Sequence, residues 1–297
     1  MKKITIALIA IVVVALIATV LLLNTQTQKE PEHFTNTTGV ATFFYEPLNT
    51  EINVFYHIPE GGKKSTMPIL FSIHGTVRNA DDYRDFWIEQ SNSKNFMVFA
   101  PEFRNEGLFA GADGYNLGRM FDGTELRPKE EWTFSVIEAL FDFIVKDLGS
   151  KRTKYDMWGH SAGAQFIHRY LYFIPNARVD RAVAANAGWY TLPDFAIEYP
   201  FGLRNTPATV ETREKAFARK LYIALGTEDN DHTASDLRRC PNTDKQGIHR
   251  FDRGHFFWDN AQINNIGTEF NWKKVIVPGV AHSGRRMAQE TGYLLYN

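Results

Sequence analysis

Short apolar runs, separated by segments of helical periodicity, recur along most of this chain. The runs "PILFSIHG" (68–75) and "FMVFAPEF" (96–103) are largely apolar along their length, which is typical of strands covered on both faces. Strands that alternate with helices indicate a mostly parallel sheet with helices on both faces. The sequence therefore predicts an α/β fold, and we expect its functional site beyond the carboxyl ends of the strands.

The remaining elements continue this alternation. Residues 104–123 contain five glycines and are predicted to form an irregular loop, whereas residues 189–219, with several prolines, are interpreted as an insertion or partial cap. Further strands are predicted at 41–47 and 52–59 (a hairpin), at 155–158, 179–188, 220–226 and 272–279, and helices at 81–93, 128–148, 162–174 and 283–295.

The N-terminus is predicted to carry a targeting signal. Lys2 and Lys3 precede twenty uncharged residues, 4–23, which as a helix would span about 30 Å, the thickness of the hydrocarbon core of a bilayer. Segment 1–23 is therefore predicted to be a transmembrane anchor or a cleaved signal peptide. Residues 24–38 are predicted to be a linker and 39–297 the folded domain. The domain is expected outside the cytoplasm, either anchored to the inner membrane or secreted or periplasmic.

Charge and cysteine content exclude several classes of function. The 297 residues include 33 Lys and Arg and 34 Asp and Glu, so the chain has no excess of positive charge that would attract nucleic acid. Cys240 is the only cysteine, which excludes an intrachain disulfide and a cysteine-rich zinc site. No metal or organic cofactor is predicted, and the sequence gives no prediction of oligomeric state.

The segment "WGHSAG" (158–163) contains the pattern G-x-S-x-G around Ser161. A predicted strand precedes it and a predicted helix follows, which is the setting in which such a serine lies on a strained turn above the sheet. Gly159 and Gly163 leave room where side chains would clash. We therefore predict that Ser161 is a nucleophile; the alternative is an ordinary strand-to-helix connection.

A serine nucleophile needs a base, and His282 is the predicted one. It follows the last predicted strand in "VIVPGVAHSG" (275–284), on a loop at the carboxyl end of that strand. His249 and His255 are rival candidates. His168 is expected to be packed or on the surface, and the side chain of His160 to point away from Ser161.

The imidazole must in turn be oriented by an acid. The segment "ALGTEDND" follows another predicted strand and offers Glu228, Asp229 and Asp231. We predict Asp229, which lies early in the turn, with Asp231 as the alternative. A solvated turn without catalytic function is the competing interpretation.

An oxyanion hole needs two backbone N–H groups. Ala162, the residue after the nucleophile, is predicted to supply one, and Thr76 in "SIHGTVRN" (72–79) the other. His74 is predicted to hold this loop through hydrogen bonds.

Taken together, these motifs resemble the α/β-hydrolase superfamily, and more closely its polyhydroxybutyrate depolymerase-like and feruloyl-esterase-like branch. The resemblance rests on "HGTVRNADDYRDFW", "GHSAGAQF", "ANAGWYTLPD", "GTEDNDH", "QGIHRFDRGHFF" and "FNWKKVIVPGVAHS", which span about residues 68–290. It implies a mostly parallel central sheet with helices on both faces and a small cap. It also implies a Ser161–His282–Asp229 triad with Thr76 and Ala162 at the oxyanion, and it suggests that Trp189 lines the substrate pocket; packing under the cap is the alternative for Trp189.

The resemblance implies a serine esterase for small or medium carboxylic esters. The single cysteine departs from disulfide-bearing members of the branch, and the absence of a separate substrate-binding domain in this sequence argues against action on insoluble polymer. An exopeptidase or thioesterase would use the same residues. A non-catalytic binding module is the alternative outside enzymes.

Overall fold

Eight strands form one central sheet in the computed structural model, which describes residues 33–267 and 269–296. The strands are β1 (Thr38–Tyr45), β2 (Thr50–His57), β3 (Ile69–Ile73), β4 (Met97–Pro101), β7 (Tyr155–His160), β8 (Val179–Ala185), β9 (Lys220–Gly226) and β10 (Lys273–Val277). A separate two-stranded hairpin consists of β5 (Phe121–Asp122) and β6 (Glu125–Leu126).

The sheet order is β1-β2-β4-β3-β7-β8-β9-β10. Strands β1 and β2 form the predicted antiparallel hairpin, and β2 also runs antiparallel to β4. The six strands from β4 to β10 in this order are parallel to one another. Every residue of β3, β4 and β7 is buried, as expected for strands covered on both faces. The predicted α/β-hydrolase fold, with its mostly parallel sheet, is confirmed.

Helices cover both faces of this sheet and bury two apolar cores. On one face lie α1 (Ala80–Asp85), α2 (Ile88–Lys94) and α8 (Gly284–Thr291); on the other lie α3 (Val136–Asp147), α4 (Ala162–Phe173), α5 (Val210–Phe217) and α7 (Arg250–Asn264), while α6 (Pro241–Asp244) is a single turn near α7 in the chain.

The predicted helix 128–148 is wrong at its start, because the α-helix begins only at Val136. Residues 129–131 and 133–135 form separate 3-10 turns. Thr133 in these turns donates two hydrogen bonds to the glycine-rich loop. Its N–H donates to the Gly118 carbonyl, and its hydroxyl donates to the Gly114 carbonyl. A continuous helix would give up these bonds.

Two further differences concern a divided helix and a helix that the sequence did not predict. The helix expected at 81–93 is divided into α1 and α2 around Phe86 and Trp87. Helix α7, at 250–264, was not predicted at all.

The predicted membrane segment 1–23 lies outside the described residues. Among the residues that are described, none of the helices combines the length and apolarity needed to cross a membrane. Within the predicted linker 24–38, Phe34 is fully buried and packs edge-on against Tyr56 and Phe99.

Candidate active site

Ser161 lies on a sharp turn between β7 and α4. Its backbone has φ 57° and ψ −117°, a conformation that is unfavourable for a residue with a side chain. The Ser161 N–H donates to the Ala185 carbonyl at the end of β8, which fixes the turn above the carboxyl edge of the sheet. The turn therefore presents a half-buried serine at the N-terminus of a helix whose every residue is buried.

Two glycines make this turn possible. A Cβ on Gly163 would lie 2.0 Å from the Ile73 carbonyl oxygen, and a Cβ on Gly159 would lie 2.6 Å from the Gly163 carbonyl carbon. Both obstacles are backbone atoms, which cannot move aside as a flexible side chain can. Helix α4 thus approaches strand β3 so closely that only glycine fits.

His282 and Asp229 meet on the loops that follow β10 and β9. His282 Nδ1 lies 2.7 Å from Asp229 Oδ2, within hydrogen-bonding distance. The Asp229 side chain is 2% exposed and that of His282 is 22% exposed, so the acid is enclosed and the imidazole is open on one side. The His282 ring also lies 4.4 Å, between centroids, from the ring of His160, the residue before Ser161. His282 is therefore close to the end of the strand that carries Ser161.

Asn186, directly after β8, ties these two loops to the sheet. Its side-chain oxygen accepts from the Gly226 N–H at 2.7 Å, and its side-chain nitrogen donates to the Ala281 carbonyl at 3.2 Å. These bonds hold residues immediately before the Asp229 turn and before His282. Asn186 is thus a positioning residue that the sequence reasoning missed, although its place at a predicted strand end was a usable signal.

Asp231, the alternative acid, does not contact His282 among the contacts of the described residues. Asp231 is exposed and accepts hydrogen bonds from the backbone and side chain of Thr233, which lower its pKa. Asp229, in contrast, is enclosed with His282 and lies 3.5 Å from the Arg250 guanidinium.

The other candidate histidines have separate contacts. His249 begins α7 and contacts Asp252, and His255 contacts Lys274. His168 is buried in α4 and contacts the Ala164 carbonyl, while its other nitrogen accepts from a backbone N–H. The structure therefore brings only His282 of these four to the acid of the β9 loop.

His160 is fully enclosed beside His282. Its Nδ1 lies 3.3 Å from the Tyr83 hydroxyl, and its Nε2 is buried without a hydrogen-bond partner among the described residues. Burial lowers the pKa of His160 well below its ordinary value, and the neighbouring His282 lowers it further. A neutral ring at this place adds no positive charge next to His282.

The loop after β3 lies next to the serine. A Cβ on Gly75 would lie 3.7 Å from Ser161 Cβ, and Thr76, the following residue, is exposed at the cleft. His74 holds the loop as predicted: its Nδ1 contacts the Gly75 carbonyl and its Nε2 accepts from the Phe103 N–H. Burial lowers the pKa of His74 to about 3, so the ring is neutral.

A cleft of about 210 Å³ opens at Ser161. Thr76 and Ala162 line it, as does Trp189, which is otherwise buried. Asn116 and Gln165 form a hydrogen-bonded amide pair in its wall at 3.0 Å.

Three arginines also line this cleft, and the sequence reasoning missed all of them. They are Arg78, Arg238 and Arg250, and the only acidic side chain in the lining is Asp236. No periodicity or motif distinguishes these arginines from surface ones, because they come from three separate loops or loop ends.

The chain is similar to solved structures of known hydrolases. No protein-family model and no curated protein matches the chain. Among solved structures, poly(aspartic acid) hydrolase-1 from Sphingomonas sp. KT-1 is 39% identical, with a TM-score of 0.83 over 88% of this chain and 99% of that chain. The poly(3-hydroxybutyrate) depolymerase LpqC from Bordetella parapertussis is 29% identical, with a TM-score of 0.81 over 87% of this chain and 89% of that one.

A more distant match shows the fold alone. A ferulic acid esterase is 14% identical, with a TM-score of 0.54 over 87% of this chain and 96% of that chain. The two nearer likenesses carry more, because their sequence identities of 39% and 29% and their TM-scores of 0.83 and 0.81 are much higher. The chain belongs to the α/β-hydrolase superfamily, in its polyhydroxybutyrate depolymerase-like branch.

Proposed function

We propose that this protein is a serine esterase that cleaves carboxylic esters through an acyl-enzyme. Ser161 Oγ attacks the ester carbonyl carbon while His282 takes the hydroxyl proton, and His282 then returns that proton to the departing alcohol. Water, activated by His282, attacks the acyl-enzyme, releases the acid and restores Ser161. Asp229 orients His282 throughout.

The observation that carries this proposal is the 2.7 Å contact between His282 Nδ1 and Asp229 Oδ2. A carboxylate bound to Nδ1 leaves Nε2 free to act as a base, which is the tautomer that the mechanism needs. The strained turn at Ser161 supports the same role, because backbone strain of this kind clusters at active sites and here presents the hydroxyl at the carboxyl edge of the sheet.

The negative oxygen of the tetrahedral intermediate needs donors, and we assign these to the N–H groups of Thr76 and Ala162. Ala162 is the first residue of α4, so its N–H belongs to the helix N-terminus, where partial positive charge favours an anion. Trp189 is assigned to the substrate-binding wall, since it lines the same cleft as Ser161.

Amide hydrolysis is the second candidate. It is favoured by the 39% identity with a poly(aspartic acid) hydrolase, whose named substrate is an amide-linked polymer. The same nucleophile, base and donors would serve either bond.

We further propose that segment 1–23 directs the domain out of the cytoplasm, as an anchor or as a cleaved signal. The support is the uncharged run 4–23 behind two lysines.

A fluorophosphonate probe tests the esterase proposal. The folded wild-type protein should be labelled, and labelling should disappear in Ser161→Ala and fall strongly in His282→Ala. Ser283→Ala, which changes a hydroxyl next to His282, is the matched control and should label normally. An unlabelled wild type with intact folding would instead support a non-catalytic binding module. p-Nitrophenyl esters and a peptide panel then separate esterase from amidase.

A further inference from the structure

The charged side chains of the cleft at Ser161 are unevenly balanced. Asp236 is paired with Arg250 at 2.7 Å, and Arg250 also approaches Asp229. Arg78 and Arg238 line the same cleft, and within 33–267 and 269–296 their guanidinium groups contact carbonyls and aromatic rings but no carboxylate. The cleft therefore carries uncompensated positive charge next to the nucleophile.

Arg78 is fixed by neutral groups only. Its guanidinium donates to the carbonyls of Phe103, Phe109 and Gly111 and lies 4.0 Å from the Tyr115 ring centroid. A guanidinium with 8% residue exposure is costly to hold without an anion, since carbonyl dipoles offset only part of the lost hydration. An anion in the cleft would recover that energy.

Arg238 is the accessible member of the pair. Its guanidinium carbon lies 4.9 Å from the Trp189 ring centroid and 5.5 Å from that of Phe201, and its carbonyl oxygen accepts from the buried Arg253. The two aromatic rings thus pack against the guanidinium, and among the described residues its N–H groups make no hydrogen bond. A planar guanidinium held in this way is suited to grip a carboxylate with two parallel hydrogen bonds.

The volume of the cleft limits the size of the substrate group that bears the carboxylate. At about 210 Å³ it holds about seven water molecules. That volume fits a short chain and excludes a long acyl group from full enclosure.

We infer that the preferred substrate carries a carboxylate a few atoms from the scissile carbonyl, as in a half-ester of a short dicarboxylic acid or an aspartyl unit, and that Arg238 binds this carboxylate. The inference rests on the proposed function, because it names the substrate class of the same site. It makes Arg238 a specificity residue rather than part of the proton-transfer machinery.

Two matched esters test it. Ethyl butyrate and monoethyl succinate have the same acyl length and differ in a terminal methyl or carboxylate, and a pH-stat measures both. Wild type should favour monoethyl succinate by about tenfold in kcat/KM, the effect of one charge-assisted contact at a partly exposed site. Arg238→Gln should remove this preference, lowering kcat/KM for monoethyl succinate about tenfold more than kcat/KM for ethyl butyrate, and Arg238→Lys should keep part of the preference.

Arg239→Gln is the matched control. It removes the same charge from the next residue, whose guanidinium pairs with Asp244 and does not line the cleft. This variant should keep the preference. Thermal unfolding of each variant confirms that it is folded.

The outcomes separate the two proposals. Labelling by fluorophosphonate together with equal use of both esters, or an equal loss on both in folded Arg238→Gln, would overturn the carboxylate site and leave the serine hydrolase intact. Absence of labelling would overturn the proposed function instead. If labelling occurs but neither ester is cleaved, protection from labelling decides: succinamate should protect better than butyramide, and equal protection overturns the inference.

Discussion

Replacing Asp229 with Asn tests the geometry of the proposed triad at its least accessible member. The substitution keeps the size of the side chain but removes the negative charge that lies 2.7 Å from His282 Nδ1. An amide at this place can donate to Nδ1, which moves the imidazole proton to Nε2 and makes the ring unable to accept the Ser161 proton. Because the carboxyl is 2% exposed, water cannot take its place.

We expect kcat/KM for a neutral p-nitrophenyl ester to fall about 10⁴-fold, equivalent to about 5 kcal/mol of transition-state stabilisation. The fold should persist, because Arg250 keeps its 2.7 Å contact with Asp236. Thermal unfolding should therefore show a cooperative transition in the variant, and the loss of rate can be assigned to chemistry.

Asp231→Asn is the matched control two residues away. Asp231 is exposed and bonded to Thr233, so the change should alter kcat/KM by less than about twofold. The assignment of Asp229 as the acid would be refuted if Asp229→Asn retained more than a tenth of the wild-type kcat/KM, or if Asp231→Asn lost most of it.

Three further predictions concern the turn, the pH and the N-terminus. Gly163→Ala should lower the free energy of unfolding by about 3 kcal/mol or more, since its Cβ would meet the Ile73 carbonyl at 2.0 Å, and urea unfolding checks this. Gly149→Ala is the comparison: its Cβ meets nothing, but its φ is 56°, so it should cost only the about 1–2 kcal/mol of a left-handed residue with a side chain. His74 has a folded pKa of about 3, below its unfolded value of about 6.5, so between these pH values the unfolded chain binds a proton that the folded ring does not. The contribution of His74 to the free energy of unfolding is therefore complete above about pH 6.5, and about 2 kcal/mol of it is lost by pH 5. Urea unfolding at pH 7 and pH 5 should show this free energy falling with pH, and a rise would contradict the neutral, buried ring. Full-length protein should stay with membranes in alkaline carbonate if segment 1–23 is an uncleaved anchor, whereas release or a shortened mature N-terminus by mass spectrometry supports the cleaved signal.

The parts of the fold that follow from apolar periodicity could be predicted from the sequence. Strand β3 is buried along its whole length, and helix α4 follows Ser161 directly, so both have strong patterns. Helix α7 was not predicted because two of its buried positions, where apolar residues are expected, are Arg250 and Arg253. Their guanidinium groups contact carbonyls and carboxylates outside the helix, which periodicity cannot register, although Arg250 Nε is buried without a partner among the described residues.

The site shows the same division. Ser161, His282 and Asp229 each follow a predicted strand, and the topology of a parallel sheet brings such residues to one edge. The arginines of the cleft have no such rule, because Arg78 and Arg238 enter from loops whose paths depend on tertiary contacts. Sequence reasoning could therefore identify candidates for the chemistry, but not the charge that the substrate meets.

Arg78 links the loop after β3 to the segment that forms one wall of the cleft. It follows the loop that carries Thr76, and its guanidinium is bound by carbonyls of the 103–111 segment, which forms one wall of the cleft. The Tyr115 hydroxyl adds a second tie, to the His74 carbonyl at 2.6 Å. A change of substrate made by redesigning residues 103–115 would therefore also shift the loop beside Ser161, and rate and selectivity would change together. The tip of the β5–β6 hairpin, where Gly123 faces open space, is outside these ties, and new binding elements can be attached there without that cost.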